Sequence, residues 1–396
     1  MKAIFVHDHR FIKLKSGEVF SKDQFPSSIW QRYLKFFDEL IVVGRSLPDC
    51  DISIETLNLS SRENVSFVLA PDLAHPMGIA RYGKKAVNIL KRLIQDVDAV
   101  IIRSSFLGQF AASVASRLAR PWALEIVGCA WDALWNYGSV TGRICAPFFW
   151  LAQRRLAKKA QYAIYVTQHF LQKRYPCYGL TAAASNVDIC KSDLTVMEKR
   201  LQRVHKPAKP FVFGLIGSLN TKYKGIQTAF SAFNKVKEKL PEFEFRILGG
   251  GDYSYWRKLA SSNGLTANVR FEGSLPSGDQ VLNWLDNIDV YLQPSFQEGL
   301  PRALIEAMSR ACPAIASTAG GIPELLGPEV LHKPGNKKHL GEIILKSLSS
   351  EWRTDQAQKN FKTSGRYSRE ILDAERDKFW RSFADFARKR NILGEY

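Results

Sequence analysis

The chain alternates short apolar runs with longer segments in which apolar residues recur every three or four positions. The short runs are rich in Val, Ile and Phe, which is typical of buried strands, whereas the longer segments are typical of helices packed by one face. Candidate strands are AIFVH, ELIVVGR, VSFVLA, AVIIRS, WALEIVG, YAIYVT and AASNV in the first half, and FVFGLIG, FEFRILG, VRFEG, VYLQPS, PAIAST and EVLHK in the second. Buried strands separated by helices predict parallel sheets covered on both faces.

Two such series are separated by a polar segment at 191–210, which ends in HKPAKP. Prolines and charges resist both helix and central strand, so a domain boundary is expected there. With 396 residues, 45% of them hydrophobic, the chain is long enough for two cores. We predict an α/β fold of two doubly wound, Rossmann-like domains facing across a cleft. They comprise residues 1–195 and 206–370, and a terminal helix at 371–396 packs back towards the first domain.

Cysteine usage and hydropathy exclude several classes of protein. The six cysteines are scattered without a C-x-x-C pair, so neither a disulfide framework nor a zinc site is expected. No apolar run approaches the roughly 20 residues of a spanning helix, and the N-terminal run is short enough to be a strand rather than a signal peptide. We expect a cytoplasmic protein, located at the inner face of the cell membrane if it binds lipid.

The positive charge is concentrated in the middle of the first half. The whole chain has a formal net charge of +18, residues 81–174 carry +11 and residues 1–80 carry −1. Two basic amphipathic segments, 81–95 and 148–159, predict peripheral contact with an anionic membrane. The alternative for both is an ordinary surface helix packed on a sheet. No nucleic-acid motif is present, so nucleic acid is not an expected partner, although a non-catalytic polyanion binder remains an alternative.

The segment VYLQPSFQEGLPRALIEAMSR at 290–310 contains the most informative chemistry. A buried strand is followed by a polar loop with Glu298 and Gly299, and Pro301 then opens a helix. The free N–H groups of that helix end form an anion site. Glu306 lies inside an apolar run, where a carboxylate needs a partner or a ligand. A salt bridge beneath the sheet is the structural alternative, and both readings remain open.

The stretch EGLPRALIE resembles the E-x7-E motif of retaining family 4 glycosyltransferases, which have the GT-B fold. Five neighbouring segments match that family in order across residues 211–335: GLIGSLNTKYKG, ILGGGDY, VRFEGSLP, DNIDVYLQPS and STAGGIPELL. In the first half the resemblance is looser. The segments EIVGCAWDALW, YVTQHFLQKRYP and SNVD resemble members that build polysaccharide and lipopolysaccharide.

The resemblance implies a retaining transfer of a sugar from a nucleotide-sugar donor to a glycan or polyprenyl-diphosphate-linked acceptor, without metal or cofactor. A sugar-nucleotide epimerase of the same fold is the alternative enzyme, and the E-x7-E and YKG segments argue against it.

The resemblance also implies roles for the residues of the second half. Glu306 would hold the donor ribose hydroxyls, because two carboxylate oxygens can accept from a vicinal diol. Glu298 would contact the transferred sugar, helped by the backbone amides of Gly299 and Leu300. Lys224 would place its ammonium on the diphosphate, where it offsets the charge that builds on the leaving group.

One position departs from the family pattern. Many relatives carry an Arg where Ser218 stands here, so Lys222 or the helix N-terminus would have to replace that phosphate contact. Four further positions match loop residues whose backbone lies beside the nucleotide and its base in relatives: Gly250, Gly251, Ser274 and Leu275.

The acceptor side has weaker signals. Asp132 sits where relatives place a polar residue near the reacting sugar, although it also suits a helix N-cap. His7 and His9 are expected to follow the first strand at the mouth of the cleft, together with Gly17, which loosely matches a glycine loop of relatives. Two histidines without further ligands are a poor metal signal, so no metal site is expected.

Overall fold

The computed structural model of the protein describes residues 1–393 apart from 23, 48–56, 72, 74–75 and 192. Its strands are β1 Lys2–Lys13, β2 Val19–Ser21, β3 Glu39–Ser46, β4 Asn58–Leu59, β5 Val65–Ala70, β6 Ala99–Arg103, β7 Trp122–Ile126, β8 Tyr162–Tyr165, β9 Leu180–Ala183, β10 Phe211–Ile216, β11 Phe243–Leu248, β12 Val269–Phe271, β13 Val290–Gln293, β14 Ala314–Ser317 and β15 Leu331–His332.

Helices separate most of these strands. They are α1 Gln31–Leu34, α2 Pro76–Gln95, α3 Phe106–Arg117, α4 Ala130–Trp135, α5 Val140–Lys159, α6 Phe170–Arg174, α7 Leu194–His205, α8 Ile226–Val236, α9 Ser254–Ser262, α10 Asp279–Asp286, α11 Arg302–Ser309, α12 Lys337–Lys346, α13 Ser350–Ser364 and α14 Arg369–Leu393.

The first sheet contains β1 to β9 within the described ranges. Seven of these strands are parallel and lie in the order β5-β3-β1-β6-β7-β8-β9. The strands β6 and β7 are buried along their whole length, as expected for parallel strands covered by helices on both faces. Among the described strands, β2 pairs antiparallel with the far end of β1, and β4 pairs antiparallel with β2.

The second sheet is wholly parallel, in the order β12-β11-β10-β13-β14-β15. This is the doubly wound order, in which the chain moves outwards from β10 in one direction and then returns to build from β13 in the other. Ligands of such sheets bind beyond the carboxyl ends of the strands at the point of reversal, which here lies between β10 and β13.

The C-terminal helix α14 packs on the first sheet rather than on the second. Its aromatic residues surround Tyr162 of β8, with ring centroids of Phe379, Phe383 and Phe386 between 5.3 and 5.9 Å away. Trp380 also lies edge-on to Tyr33 of α1 at 5.2 Å. The proposed domain boundaries themselves stay a prediction.

The sequence misjudged three local features. The first strand does not end before His7, because β1 continues through His7 and His9 to Lys13 with an irregularity between Val6 and Arg10. The expected strand AASNV is displaced, since β9 ends at Ala183. The basic segment at 148–159 is only the second half of α5, which begins at Val140.

The two basic helices differ in what they bury. In α2 the apolar positions Ala86, Leu90 and Ile94 are buried against the fold, and its outer face is polar. In α5 large apolar side chains are exposed. Within the described part of the chain, no helix combines the length and the apolarity needed to cross a bilayer.

Candidate active site

Lys224 and Glu298 meet at the point where the second sheet reverses. Lys224 follows β10 and Glu298 follows β13, and these strands are direct neighbours. The Lys224 Nζ donates to Glu298 Oε1 at 2.8 Å, and both side chains are largely buried. The sequence therefore placed two functional candidates correctly at one edge, although it did not foresee that they would contact each other.

Two further polar groups hold the Glu298 carboxylate. Gln293 Nε2 donates to Oε1 at 2.9 Å and Ser295 Oγ donates to it at 2.8 Å, so three donors converge on one oxygen. Oε2 has no hydrogen-bond partner among the described residues. Burial lowers the Lys224 pKa, but the Glu298 carboxylate outweighs it and the pKa lies above its ordinary value. The raised pKa keeps the Lys224 ammonium protonated, and one carboxylate oxygen of Glu298 is left for another contact.

Glu306 lies on α11, the helix that follows the Glu298 loop. Its side chain is partly buried and makes no hydrogen bond or ion pair with any residue that the structure describes. Burial raises its pKa above the usual value for Glu, although Arg302 opposes this shift. The salt bridge beneath the sheet, the structural alternative, is therefore absent from the described chain. An unpartnered carboxylate of this kind costs stability unless a ligand binds it.

Tyr291 lies close enough to both glutamates to be influenced by their charges. Burial raises its pKa well above its ordinary value, and the nearby Glu306 and Glu298 carboxylates both add to this shift. Its hydroxyl donates to Gln293 Oε1 at 2.9 Å and accepts from the Ile216 N–H at 3.3 Å. The tyrosine thus ties the ends of β10 and β13 together beneath both carboxylates.

The loops at this edge pass so close to one another that a side chain would not fit at two of their glycines. Gly225 begins α8 with φ of +78°, and a Cβ there would overlap the carbonyl oxygen of Pro294. Gly249 has φ of +155°, and a Cβ there would overlap the carbonyl oxygen of Gly217. These glycines let the loops after β10, β11 and β13 approach one another closely.

The remaining donor-side candidates lie on the same loops. Ser218 is exposed directly after β10, where its Oγ accepts from the Asn220 N–H at 3.3 Å. Lys222 points its ammonium over the Tyr255 ring, 4.3 Å from the centroid. Its replacement of the family's arginine at the phosphates stays a prediction.

The glycine pair after β11 borders two polar groups. A Cβ at Gly250 would lie 2.6 Å from Ser274 Oγ, and one at Gly251 would lie 2.6 Å from Asn220 Oδ1. Ser274 and Leu275 are exposed in the loop after β12, with Leu275 beside Ser274. The structure thus gathers these predicted positions at the carboxyl edge, while their roles stay a prediction.

The two halves of the chain touch at the Glu298 loop. A Cβ at Gly299 would overlap the carbonyl oxygen of Val127, the residue after β7. Leu300 is buried in the same contact region, and Gly321 approaches Thr167 of the first half. Gly299 therefore allows a close approach between the halves, a role that the sequence did not assign to it.

Glu324 was missed, although it lies within the segment STAGGIPELL that matches the family. Its carboxylate accepts from the backbone N–H groups of Gln168, His169 and Phe170 at 2.6, 3.0 and 2.7 Å. These amides form the N-terminal end of α6, where a negative charge is favourable. The contact fixes the loop after β14 to the first half of the chain, and no local sequence signal could have revealed so distant a partner.

Asp132, the predicted acceptor-side residue, lies in the first half of the chain. It lies in the first turn of α4 and pairs with Arg174 Nη1 at 3.3 Å, while Cys129 is the N-cap. The alternative that Asp132 is the N-cap is therefore wrong. Burial raises its pKa, and Arg174 partly opposes this.

Among the remaining acceptor-side candidates the two histidines are less accessible than expected, whereas Gly17 is exposed. Burial and the charge of Arg103 lower the pKa values of both histidines, that of His9 to about 4, so both are neutral near pH 7. His9 Nε2 lies 3.1 Å from Ser21 Oγ, and its ring packs on Phe25. Gly17 is at the tip of the β1–β2 hairpin with open space around it.

Beneath the histidines lies a buried ion pair that the sequence did not reveal. Arg103 Nε donates to Glu125 Oε2 at 2.8 Å, and Tyr33 OH donates to Oε1 at 2.7 Å. Arg103 also lies over the Phe5 and Phe25 rings. Partners on separate strands meet only in the folded sheet, so sequence spacing gave no indication of this network.

Comparison with known proteins identifies the class of this fold and site. Residues 196–367 match the family of glycosyl transferases group 1. HepE of Anabaena, solved in complex with UDP-glucose, shares the fold with a TM-score of 0.66 at 18% identity, over 96% of this chain and 100% of that one. The fold is therefore GT-B, with a sheet in each half.

Two curated relatives place the chain more closely. Protein CapJ of Staphylococcus aureus is 32% identical over 381 residues, which cover 96% of this chain and 94% of CapJ. The amylovoran biosynthesis glycosyltransferase AmsK of Erwinia amylovora is 33% identical over 141 residues, about a third of each chain. The chain belongs to the glycosyl transferases of group 1 and is a glycosyltransferase similar to CapJ along nearly its whole length.

Proposed function

We propose that the enzyme transfers a hexosyl or hexosaminyl group from a nucleoside-diphosphate sugar to a glycan or polyprenyl-diphosphate-linked acceptor. The transfer would retain the anomeric configuration and would take place in the cytoplasm during cell-surface polysaccharide synthesis. One observation carries the proposal: an unpartnered Glu306 and a restrained Glu298 lie at the same reversal point of a doubly wound sheet. AmsK, named for amylovoran biosynthesis, and HepE, solved with UDP-glucose, support the pathway and the donor class.

The donor would lie along the carboxyl edge of β10 and β13. The Glu306 carboxylate has both oxygens available and would accept from the ribose hydroxyls, which compensates the cost of its burial. The diphosphate would lie beside the N-terminus of α11 and the Lys224 ammonium, whose three protons allow it to keep Glu298 while it binds an oxygen of the leaving group. The free Oε2 of Glu298 would accept from a hydroxyl of the transferred sugar.

The transfer would depend on positioning and charge stabilisation. The bond from the anomeric carbon to the diphosphate oxygen breaks, and negative charge collects on the leaving group beside Lys224. The acceptor oxygen attacks the same face, forms the new glycosidic bond and passes its proton to the departing phosphate oxygen. Asp132, on the helix that follows the contact between Val127 and Gly299, would orient the acceptor. This scheme requires neither a metal nor a strong general base.

Three measurements test the proposal. A thermal-shift panel of nucleotides and sugar nucleotides identifies the donor, because a ligand that binds the folded state raises the melting temperature. Slow release of nucleoside diphosphate without acceptor then shows that the donor is activated. Proton NMR of the product gives its anomeric configuration. Failure of every sugar nucleotide to bind, or an inverted product, would contradict the proposal.

A further inference from the structure

One face of α5 carries large apolar side chains that the rest of the described chain leaves exposed. Val140, Ile144 and Phe148 are 73%, 62% and 69% exposed, and Leu151 on the next turn is also exposed. Their spacing of four, four and three residues aligns them along the helix surface. Single exposed apolar residues are common in soluble proteins, but a continuous row of this kind marks an interaction surface.

The orientation of this row is fixed by the opposite face of α5. Gly142, Ala146, Gln153 and Ala157 are buried, and Phe149 packs against Phe106 of α3 with ring centroids 4.1 Å apart. Because these contacts hold the helix against the first sheet, Val140, Ile144 and Phe148 necessarily point outwards.

Aromatic side chains extend the row beyond the start of α5. Trp135 at the end of α4 stacks on Trp131 at 5.5 Å and is still 45% exposed. Tyr137, in the turn before α5, is 79% exposed. Trp and Tyr combine an apolar ring with a polar group, and they are enriched where protein meets the boundary between water and lipid.

The charge around this row has one sign. No Asp or Glu occurs between Asp132 and Asp188. Five basic residues lie on α5 itself: Arg143, Arg154, Arg155, Lys158 and Lys159. By helical spacing, Arg155 and Lys158 continue the apolar row, so the outer face is apolar at its start and cationic at its end.

We infer that this outer face docks on a lipid bilayer that contains anionic lipid. We define the α5 surface as Trp135, Tyr137, Val140, Ile144, Phe148, Leu151, Arg155 and Lys158. Its apolar residues would enter the interfacial layer while its cations approach the headgroups, as in interfacial amphipathic helices. A symmetric contact between two copies is disfavoured, because it would place the cationic end of each α5 either against the apolar start of the other helix or against the same cations.

The location of the α5 surface relates it to the acceptor. The α4–α5 pair follows β7, whose end meets Gly299 of the donor side, and α4 also carries Asp132. A docked enzyme would therefore hold the acceptor side of its cleft near the membrane, where a lipid-linked sugar would be presented. This connection rests on the proposed function, and it identifies the physical form of the acceptor as membrane-borne.

Co-sedimentation of the full chain with vesicles tests the inference. We expect binding to phosphatidylcholine vesicles that contain phosphatidylglycerol, weaker binding to phosphatidylcholine alone, and loss of binding as salt is raised. The double variant Ile144→Ser, Phe148→Ser should bind at least roughly tenfold more weakly. Arg155→Gln with Lys158→Gln should weaken binding and reduce its salt dependence. Leu194→Ser is the matched control, since Leu194 is 71% exposed on α7.

Several results would overturn the inference. The wild-type chain could stay in the supernatant, or the Leu194 control could lose as much binding as the Ile144 and Phe148 variant. Sedimentation velocity could instead show a dimer that this variant dissociates, which would make the surface a contact between copies. Donor hydrolysis without vesicles separates the two proposals. Vesicle binding by a chain that activates no sugar nucleotide would support the docking surface and contradict the proposed function.

Discussion

Replacing Glu306 by Gln should change stability and donor affinity in opposite directions. The wild-type carboxylate is partly buried without a partner, and burial raises its pKa. Gln keeps the shape of the side chain and removes the charge. We expect the ligand-free variant to be more stable by about 1 kcal/mol, the lower end of the cost of an unpaired buried polar group. For a cooperative unit of 150–250 residues, this corresponds to a melting temperature roughly 2–4 °C higher.

Donor binding should weaken in the same variant. Gln offers one accepting oxygen where Glu offers two, so one charge-assisted hydrogen bond to the ribose diol is lost. Such a bond contributes about 1.5–3 kcal/mol, which corresponds to an affinity lower by about 10- to 150-fold. Isothermal titration with the nucleoside diphosphate measures this loss, and differential scanning calorimetry measures the stability. Glu342→Gln is the control, because Glu342 is exposed on α12.

The pH dependence gives a second check of the same group. Because the folded-state pKa is raised, the native protein binds more protons than the unfolded chain between the ordinary Glu pKa and the raised one. The destabilisation by Glu306 is therefore fully present above the raised pKa and disappears below the ordinary one. The stability difference between variant and wild type should shrink as the pH falls through this window. A variant that is less stable than wild type at pH 7, or that binds donor equally well, would refute this reasoning.

Three further substitutions test other contacts. Lys224→Ala should slow transfer roughly 100-fold or more, since it removes the cation beside the leaving group, and unchanged turnover would contradict its role. Gly299→Ala places a methyl group against Val127 and should push the two halves of the chain apart, so kcat should fall more than nucleotide affinity. An equal fall in both would show that the methyl group does not act by separating the halves. Glu324→Gln removes the charged acceptor of three backbone amides, so it should reduce the free energy of unfolding, measured by urea titration, by about 1.5–3 kcal/mol and lower kcat/KM. Normal values of both would show that this contact does not hold the two halves of the chain together.

The parallel strands could be predicted because each is a continuous apolar run, and β6, β7, β10 and β13 appear where the sequence suggests them. The first strand could not be delimited, because its second part contains His7, Asp8 and His9. These polar residues are accommodated by contacts with other elements. For example, the Phe106 and Leu107 N–H groups donate to the Asp8 carboxylate.

The site was predictable where a strand end or a sequence motif marks its residues, as at Lys224, Glu298 and Glu306. Glu298 and Glu306 belong to one loop and helix, whereas Glu324 and the Arg103–Glu125 pair depend on partners brought near by folding. The basic segment at 148–159 was predicted to contact a membrane, but the apolar start of the α5 surface escaped prediction for a related reason. Gly142 and Pro147 interrupt the helical pattern, and exposure of Val140 and Ile144 depends on tertiary packing rather than on residue type.

A crystal structure with the nucleoside diphosphate bound tests the central claim most directly. We expect the ribose hydroxyls within hydrogen-bond distance of the Glu306 carboxylate, and the phosphates between the N-terminus of α11 and the Lys224 ammonium. A nucleotide bound in another part of the molecule, with Glu306 still lacking a partner, would contradict the account.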